Sequence, residues 1–69
     1  MKIYLEINKD SESPDAGKTL QCEMQTCPQK GESVMIGGRE FRVSRVTHCI
    51  TYGIGEALRH GQTTVEIYQ

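Results

Sequence analysis

The feature that most constrains the fold is a pair of alternating segments separated by two adjacent glycines, Gly37 and Gly38. On each side of the glycines, apolar side chains occur at every second residue, the spacing that places them on one face of a β-strand. Two such segments joined by Gly-Gly predict a β-hairpin, because glycine accepts the positive φ angles that tight hairpin turns require. The face that we expect to be buried consists of Val34, Ile36, Phe41 and Val43.

The hairpin can close in two registers, and both keep these four side chains on one face. A two-residue type I′ loop pairs Val34 with Phe41. A four-residue loop over residues 37–40 instead pairs Val34 with Val43 and Ile36 with Phe41. We favour the four-residue loop because it brings apolar side chains directly opposite one another.

The alternation changes phase further along the chain. In the second strand of the hairpin, Phe41 and Val43 fall on odd positions, whereas Val46, His48 and Ile50 fall on even ones. One residue has to be absorbed between the two halves, and a β-bulge near Ser44 and Arg45 does so with the least disturbance. A strand bent in this way is typical of small barrels.

Three further segments alternate in the same way and are predicted to be strands: residues 1–8, 18–26 and 62–69. Residues 9–17 are polar and include proline and glycine, which predicts a solvated connecting loop. Between Gly55 and Gly61, residues 56–60 are helix formers with an acid first and cations last. We expect one helical or 3₁₀ turn there.

Sixty-nine residues suffice for one domain, and we assign the whole chain, residues 1–69, to it. A chain of this size is near the lower limit for a single core that has no disulfide or metal ion to stabilise it, so self-association would add useful buried surface. We expect the core to contain Leu5, Ile7, Leu20, Val34, Ile36, Phe41, Val43, Val65 and Ile67.

Composition argues against several classes of protein. The formal net charge is −1, so no global field attracts nucleic acid or an anionic membrane. No apolar run approaches the ~20 residues of a membrane-spanning helix, and the first residues do not read as a signal peptide. Three cysteines, an odd number, fit a reducing compartment better than a disulfide framework. We therefore expect a cytoplasmic protein.

Five short strands, a long loop after the first, a tight central hairpin and a helical turn before the last strand resemble the layout of an SH3-like barrel. The pattern P-x-x-G-E-x-V-x-I-x-G-x-x-F-x-V-x-x-V-x-H, residues 28–48, is also similar to short uncharacterised proteins of bacteria, phages and mobile gene cassettes. This resemblance implies a fold and carries no activity with it. The expected fold is therefore mainly β, a five-stranded SH3-like barrel, with an OB-like barrel as the alternative.

Five residues could in principle supply a metal site or a nucleophile with its base: Cys22, Cys27, His48, Cys49 and His60. Their spacing differs from the paired knuckles of structural zinc sites, which leaves zinc as the remote alternative. His48 and Cys49 are neighbours on opposite faces of one strand, so they cannot act together as base and nucleophile. We expect a protein that is not an enzyme and holds no cofactor, with His48 a hydrogen-bonded histidine at the edge of the core.

The arginines are candidates for a binding site, because a planar guanidinium binds phosphate or carboxylate through two parallel hydrogen bonds. All four lie in one stretch that contains no lysine: Arg39, Arg42, Arg45 and Arg59. Strand parity puts Arg39 and Arg45 on the face opposite to Arg42, which weakens the idea of a single patch. Nucleic-acid binding through Arg39, Arg42 and Arg45 is the alternative function.

Tyr4 and Tyr68 both have outward parity, on the first and the last predicted strand, and a small barrel often brings these strands together. Exposed aromatic side chains are enriched at contact surfaces. The leading expectation is therefore a small non-catalytic module that contacts a protein partner or a second copy of itself.

Overall fold

The computed structural model describes the backbone of residues 1–69 and every side chain except that of Glu56. Within this described part, the chain forms five strands and one short 3₁₀ turn. In chain order these are β1 (Lys2–Ile7), β2 (Thr19–Glu23), β3 (Ser33–Ile36), β4 (Arg39–Tyr52), the 3₁₀ turn (Ile54–Glu56) and β5 (Leu58–Tyr68).

The strands form one curled, mixed sheet in the order β2-β1-β5-β4-β3. The first and last strands are neighbours and run parallel, whereas the other three pairs are antiparallel. The expectation of a mainly β fold of small-barrel type is confirmed, since the sheet curls into a half-barrel with almost no helix. The choice between an SH3-like and an OB-like barrel stays a prediction.

The central hairpin forms, but in the register that we did not favour. β3 and β4 pair Val34 with Phe41 and Ile36 with Arg39, which leaves a two-residue loop. Both loop residues have positive φ, 56° at Gly37 and 84° at Gly38, as a type I′ turn requires. The four-residue loop was wrong because a type I′ turn matches the right-handed twist of the strands, and this outweighs apolar pairing directly across the hairpin.

The bulge that the change of phase predicts is confirmed. On β4, Val43 pairs with Ile67 and Arg45 pairs with Glu66, so that Ser44 is the extra residue. The Ser44 hydroxyl donates a hydrogen bond to the Glu66 carbonyl oxygen at 3.1 Å, which holds the bulge against β5. Beyond this point, the even-numbered residues of β4 face the inner side of the sheet.

A second irregularity in the same strand pair was not expected. Cys49 pairs with Gln62 and Ile50 pairs with His60, so Gly61 is the extra residue of β5. A side-chain carbon at Gly61 would lie 3.3 Å from Thr51 Cγ2, which is tighter than an ordinary contact. Glycine fits here because the two backbones approach each other closely.

The core lies on the inner face of the sheet. Its buried apolar members are Ile3, Leu5, Ile7, Phe41, Val43, Val65 and Ile67. Three residues that we expected in the core are only partly buried and pack against it: Leu20, Val34 and Ile36. They belong to the two edge strands, β2 and β3, which have a neighbouring strand on one side only.

The helical turn is displaced and β5 is longer than expected. The 3₁₀ turn covers Ile54–Glu56, and β5 already begins at Leu58. Helix-forming side chains at 58–60 are strand residues here because they pair with Ile50–Tyr52 of β4, and tertiary pairing outweighs local propensity. Among the described residues, no helix is long and apolar enough to cross a membrane.

The loop over residues 9–17 is folded onto the sheet and is not simply a solvated linker. Ser13 is buried, and its hydroxyl accepts a hydrogen bond from the Asp15 backbone N–H at 3.1 Å. Gly17 N–H donates to the Ile7 carbonyl oxygen at 2.9 Å. The expectation of a solvated loop was wrong at Ser13, because a short polar side chain can satisfy its own turn and be buried with it.

Candidate interaction surface

The part of the β4–β5 hairpin farthest from the core is a two-stranded ribbon, which we name the distal arm (residues 48–62). β1 pairs with β5 only from Thr64 onward, and β3 pairs with β4 only as far as Arg42. The molecule is elongated as a result, measuring 45 × 22 × 18 Å. A two-stranded hairpin without further support is at best marginally stable in water, so the arm is a region where added contacts would have an effect.

One side of the distal arm is apolar, and it continues the inner face of the sheet. Pairing places Ile50 opposite His60, and Tyr52 opposite Leu58, on the same side as Val46 and Val65. We name these four arm residues together with His48 the arm face (His48, Ile50, Tyr52, Leu58 and His60). The arm face therefore extends the line of core side chains out of the domain.

The arm face is open to solvent in the single chain. Ile50 is 54%, Leu58 66% and Tyr52 78% exposed, and Ile54 in the turn at the tip is fully exposed. Single exposed apolar residues are ordinary on protein surfaces, but a contiguous group of large ones marks a contact site. This group is the strongest candidate surface in the described part of the chain.

The opposite side of the distal arm is polar. Cys49 lies opposite Gln62, and Thr51 opposite Arg59. The hairpin is thus amphipathic along its whole length, with an apolar side that is covered by the core near β1 and uncovered beyond it. The difference in polarity between its two sides predicts which side would be buried in a complex.

Two histidines share a buried hydroxyl where the arm joins the core. His48 Nδ1 lies 3.1 Å from Thr63 Oγ1, and His60 Nε2 lies 2.7 Å from the same oxygen. Thr63 is fully buried, whereas both imidazole rings are exposed, with their centroids 5.6 Å apart. The expectation that His48 forms a hydrogen bond is confirmed, although its ring lies at the surface and not at a covered edge of the core.

Tyr4 and Tyr68 do not form a joint patch. Both lie on the outer face, Tyr4 half-buried and Tyr68 41% exposed. Tyr4 pairs with Thr64, four residues before Tyr68 on β5. Four strand residues span about 13 Å, so the two rings are not adjacent although their strands are. These residues remain interaction candidates only as separate side chains.

The arginines are distributed differently from the parity prediction. Arg42 pairs with Tyr68 and Arg45 with Glu66, and both of these β5 residues point to the outer face. Arg42 and Arg45 therefore share a face, because the bulge at Ser44 reverses the parity between them. Our assignment of Arg45 to the opposite face was wrong for this reason.

The shared face does not become a strong basic patch. Arg45 Nε lies 3.3 Å from Glu66 Oε2, which offsets its charge locally. Arg39 lies beside the hairpin turn opposite Ile36, and Arg59 lies on the distal arm opposite Thr51. The four arginines are thus spread from one end of the sheet to the other.

The cysteines and histidines do not converge. In the described part of the chain, no three histidine, cysteine or acidic side chains form a cluster that could hold a metal ion. Cys49 lies on the polar side of the arm and His48 on the apolar side, as strand parity predicts. Burial, and the nearby Glu32 carboxylate, raise the pKa of the Cys27 thiol, which makes it a poorer nucleophile at neutral pH.

Sequence reasoning missed the apolar residues of the distal arm. Tyr52, Ile54 and Leu58 lay in a stretch that glycine content and helix formers marked as a turn. A usable signal was the even-numbered series from Val46 through Ile50, which continues to Tyr52. Extending that series would have predicted a longer β4 and, with it, a longer partner strand.

Comparison of the chain with protein-family models, with curated proteins and with solved structures finds no match.

Proposed function

We propose that this chain is a small non-catalytic interaction module that self-associates through the arm face. One feature supports this above all: an apolar surface continuous with the core projects from the domain on a two-stranded ribbon and is uncovered in the single chain. A second copy is the occupant that fits best, since a two-fold arrangement lays the same apolar residues against each other.

The charge distribution supports association between identical copies. The chain carries a net charge of −1, so two copies repel each other weakly. The nearest arm arginine, Arg59, pairs across to Thr51 on the polar side and so lies away from the arm face. A partner recognised by charge would require groups of one sign on this face, and the arm face offers hydrocarbon, one phenol and two imidazoles.

The exposed apolar surface is sufficient for a weak dimer. The exposed fractions of Ile50, Tyr52, Ile54 and Leu58 together equal about three fully exposed side chains per copy. Burying these side chains in both copies would remove a contiguous apolar surface from water, which is the driving force for association. Because the surface is small, we expect a reversible dimer and not a permanent one.

Chain size supports the same arrangement. A 69-residue domain is near the lower limit for a single core, and joining two arm faces would extend that core from Val46 and Val65 into the partner. It would also give each two-stranded arm the further packing layer that an isolated hairpin lacks.

We further propose that the protein is cytoplasmic, of bacterial origin and an SH3-like barrel. Three free cysteine thiols among the described residues support a reducing, cytoplasmic location. The curled five-stranded sheet and the 3₁₀ turn before β5 support an SH3-like barrel. The similarity of residues 28–48 to short proteins of bacteria, phages and mobile gene cassettes supports a bacterial origin.

The test compares two tyrosines of the same chain. Tyr52→Ser removes the largest side chain of the arm face, and we expect the dissociation constant measured by sedimentation equilibrium to rise about tenfold or more. Tyr68→Ser is the matched control, because it makes the same change at an exposed tyrosine on the outer face. We expect the control to stay within about twofold of the parent, as peripheral contacts usually do.

Two results would overturn the proposal. The first is a parent chain that stays monomeric to several hundred micromolar, which would leave a different protein as the occupant of the arm face. The second is the reversed ranking, in which Tyr68→Ser dissociates the dimer and Tyr52→Ser does not. Circular dichroism of both variants confirms that the fold is retained.

A further inference from the structure

Two titratable groups lie within the arm face, between its apolar residues and the core. His48 and His60 occupy opposite strands and meet at Thr63, with hydrogen-bond distances of 3.1 and 2.7 Å. Imidazole is the side chain whose ordinary titration falls between pH 5 and 8. A surface that otherwise consists of hydrocarbon and one phenol therefore contains two imidazoles.

The shared hydroxyl limits the protonation states of the pair. Thr63 has one hydroxyl proton, so at most one ring can accept from it. This buried hydroxyl uses its own proton within the pair when one neutral ring donates to Oγ1 and the other accepts from it. The donor ring can take up a proton at its second nitrogen without disturbing this arrangement. The acceptor ring can be protonated only at the nitrogen that faces Thr63, which turns it into a second donor and deprives a buried hydroxyl of its acceptor.

Protonating the acceptor ring as well as the donor ring also places two positive charges close together. With both rings protonated, two cations lie with their centroids 5.6 Å apart. On the neighbouring strands, the nearby charged side chains alternate to the outer face of the sheet, and these are Lys2, Glu23, Arg45, Arg59 and Glu66. The Met1 ammonium lies 3.7 Å from the Glu23 carboxylate. Glu56 in the turn is the one titratable group of the arm whose side chain lies outside the described residues.

We propose that protonation of the His48–His60 pair dissociates the dimer, so that self-association is favoured at neutral pH and lost in mild acid. This inference rests on the proposed self-association through the arm face. In the dimer the two exposed rings are covered, and covering a charged imidazole removes it from water at a free-energy cost that the neutral ring avoids. The dissociated chain therefore binds more protons than the dimer, and linkage requires affinity to fall as pH falls.

The experiment is sedimentation equilibrium of the intact chain at pH 7.5 and pH 5.5 at constant ionic strength, with circular dichroism at both values. We expect the dissociation constant to rise about tenfold or more at pH 5.5 while the spectrum stays native. The double variant His48→Gln with His60→Gln keeps polar side chains that cannot be charged, and we expect its dissociation constant to change less than about twofold. Glu56→Gln is the control for the arm carboxyl, and it should retain the full response.

The outcomes separate this inference from the proposed function. A dimer with equal affinity at both pH values, or a pH response that persists in the double glutamine variant, overturns the inference and leaves the dimer standing. Dissociation accompanied by unfolding also overturns it, because acid would then act on the fold and not on the arm face. A chain that is monomeric at pH 7.5 overturns the proposed function and this inference with it.

Discussion

The β4–β5 hairpin contains two regions with the same antiparallel pairing, and the inner-face side chains are buried in one region and exposed in the other. Near β1, Val43 and Val65 pair across the hairpin with apolar partners and are almost fully buried. In the distal arm, Ile50 and Tyr52 continue the same side of β4 and are more than half exposed. Neither alternation nor side-chain type distinguishes the two regions.

The difference is the presence of neighbouring strands. β1 pairs with β5 from Thr64 onward and curls the sheet over the first region, whereas only β4 and β5 pair along the distal arm. Burial of a β-face requires a second layer or a closed curl, and a two-stranded ribbon provides neither. Period-two alternation therefore identifies the apolar side of a strand. It does not tell whether that side is buried within the single chain.

The largest expected effect tests the covered region. Phe41→Ala should reduce the free energy of unfolding by about 3 to 5 kcal/mol, because Phe41 is 1% exposed and its removal leaves a cavity in a small core. Ile50→Ala in the distal arm should change it by about 1 kcal/mol or less. Urea unfolding followed by circular dichroism, at concentrations low enough to keep the chain monomeric, measures both.

Either of two results would contradict the assignment of one region as covered and the other as uncovered. A Phe41→Ala chain with the parent's melting temperature would show that Phe41 is not part of a packed core. An Ile50→Ala chain that is destabilised as much as Phe41→Ala at low concentration would show that the distal arm is covered within a single copy.

A smaller effect concerns the outer face, where Arg42 and Arg45 lie together. We expect no micromolar binding of single-stranded DNA or RNA at physiological salt, because Glu66 offsets Arg45, while Arg39 lies beside the hairpin turn and Arg59 on the distal arm. Fluorescence anisotropy of a labelled oligonucleotide at two salt concentrations measures this. The contrary result is micromolar affinity whose logarithm falls with the logarithm of the salt concentration by about 0.7 per phosphate contact, with weaker binding in Arg42→Ala and Arg45→Ala. That result would indicate that the outer face, and not the arm face, is the binding surface.

The smallest expected effect is on thiol reactivity. Cys49 is exposed on the polar side of the distal arm, whereas burial raises the pKa of Cys27 and lowers its thiolate fraction at pH 8. Alkylation followed by mass spectrometry should therefore modify Cys49 first and Cys27 several-fold more slowly. Because Cys49 faces away from the arm face, its rate should not fall as the chain dimerises, and a fall would place the dimer contact on the polar side.

Much of the fold could be predicted from the sequence, because it depends on local rules. Gly37 and Gly38 specify a tight hairpin through their positive φ angles, and the change of phase after Val43 specifies the bulge at Ser44. The loop length and the parity of Arg45 were predicted wrongly although the same rules contain the correct result. A type I′ turn matches strand twist, and a bulge reverses parity for every residue that follows it.

The sequence by itself determined the alternation of β4, the turn at Gly37-Gly38 and the apolar character of Ile50, Tyr52 and Leu58. Only the tertiary structure decided that β1 pairs with β5 from Thr64 onward, and so where the covered part of the hairpin ends. The physical reason is that alternation is a property of one strand, set by the geometry of its own backbone. Burial is a property of the whole sheet, because it depends on which distant segments lie over that strand.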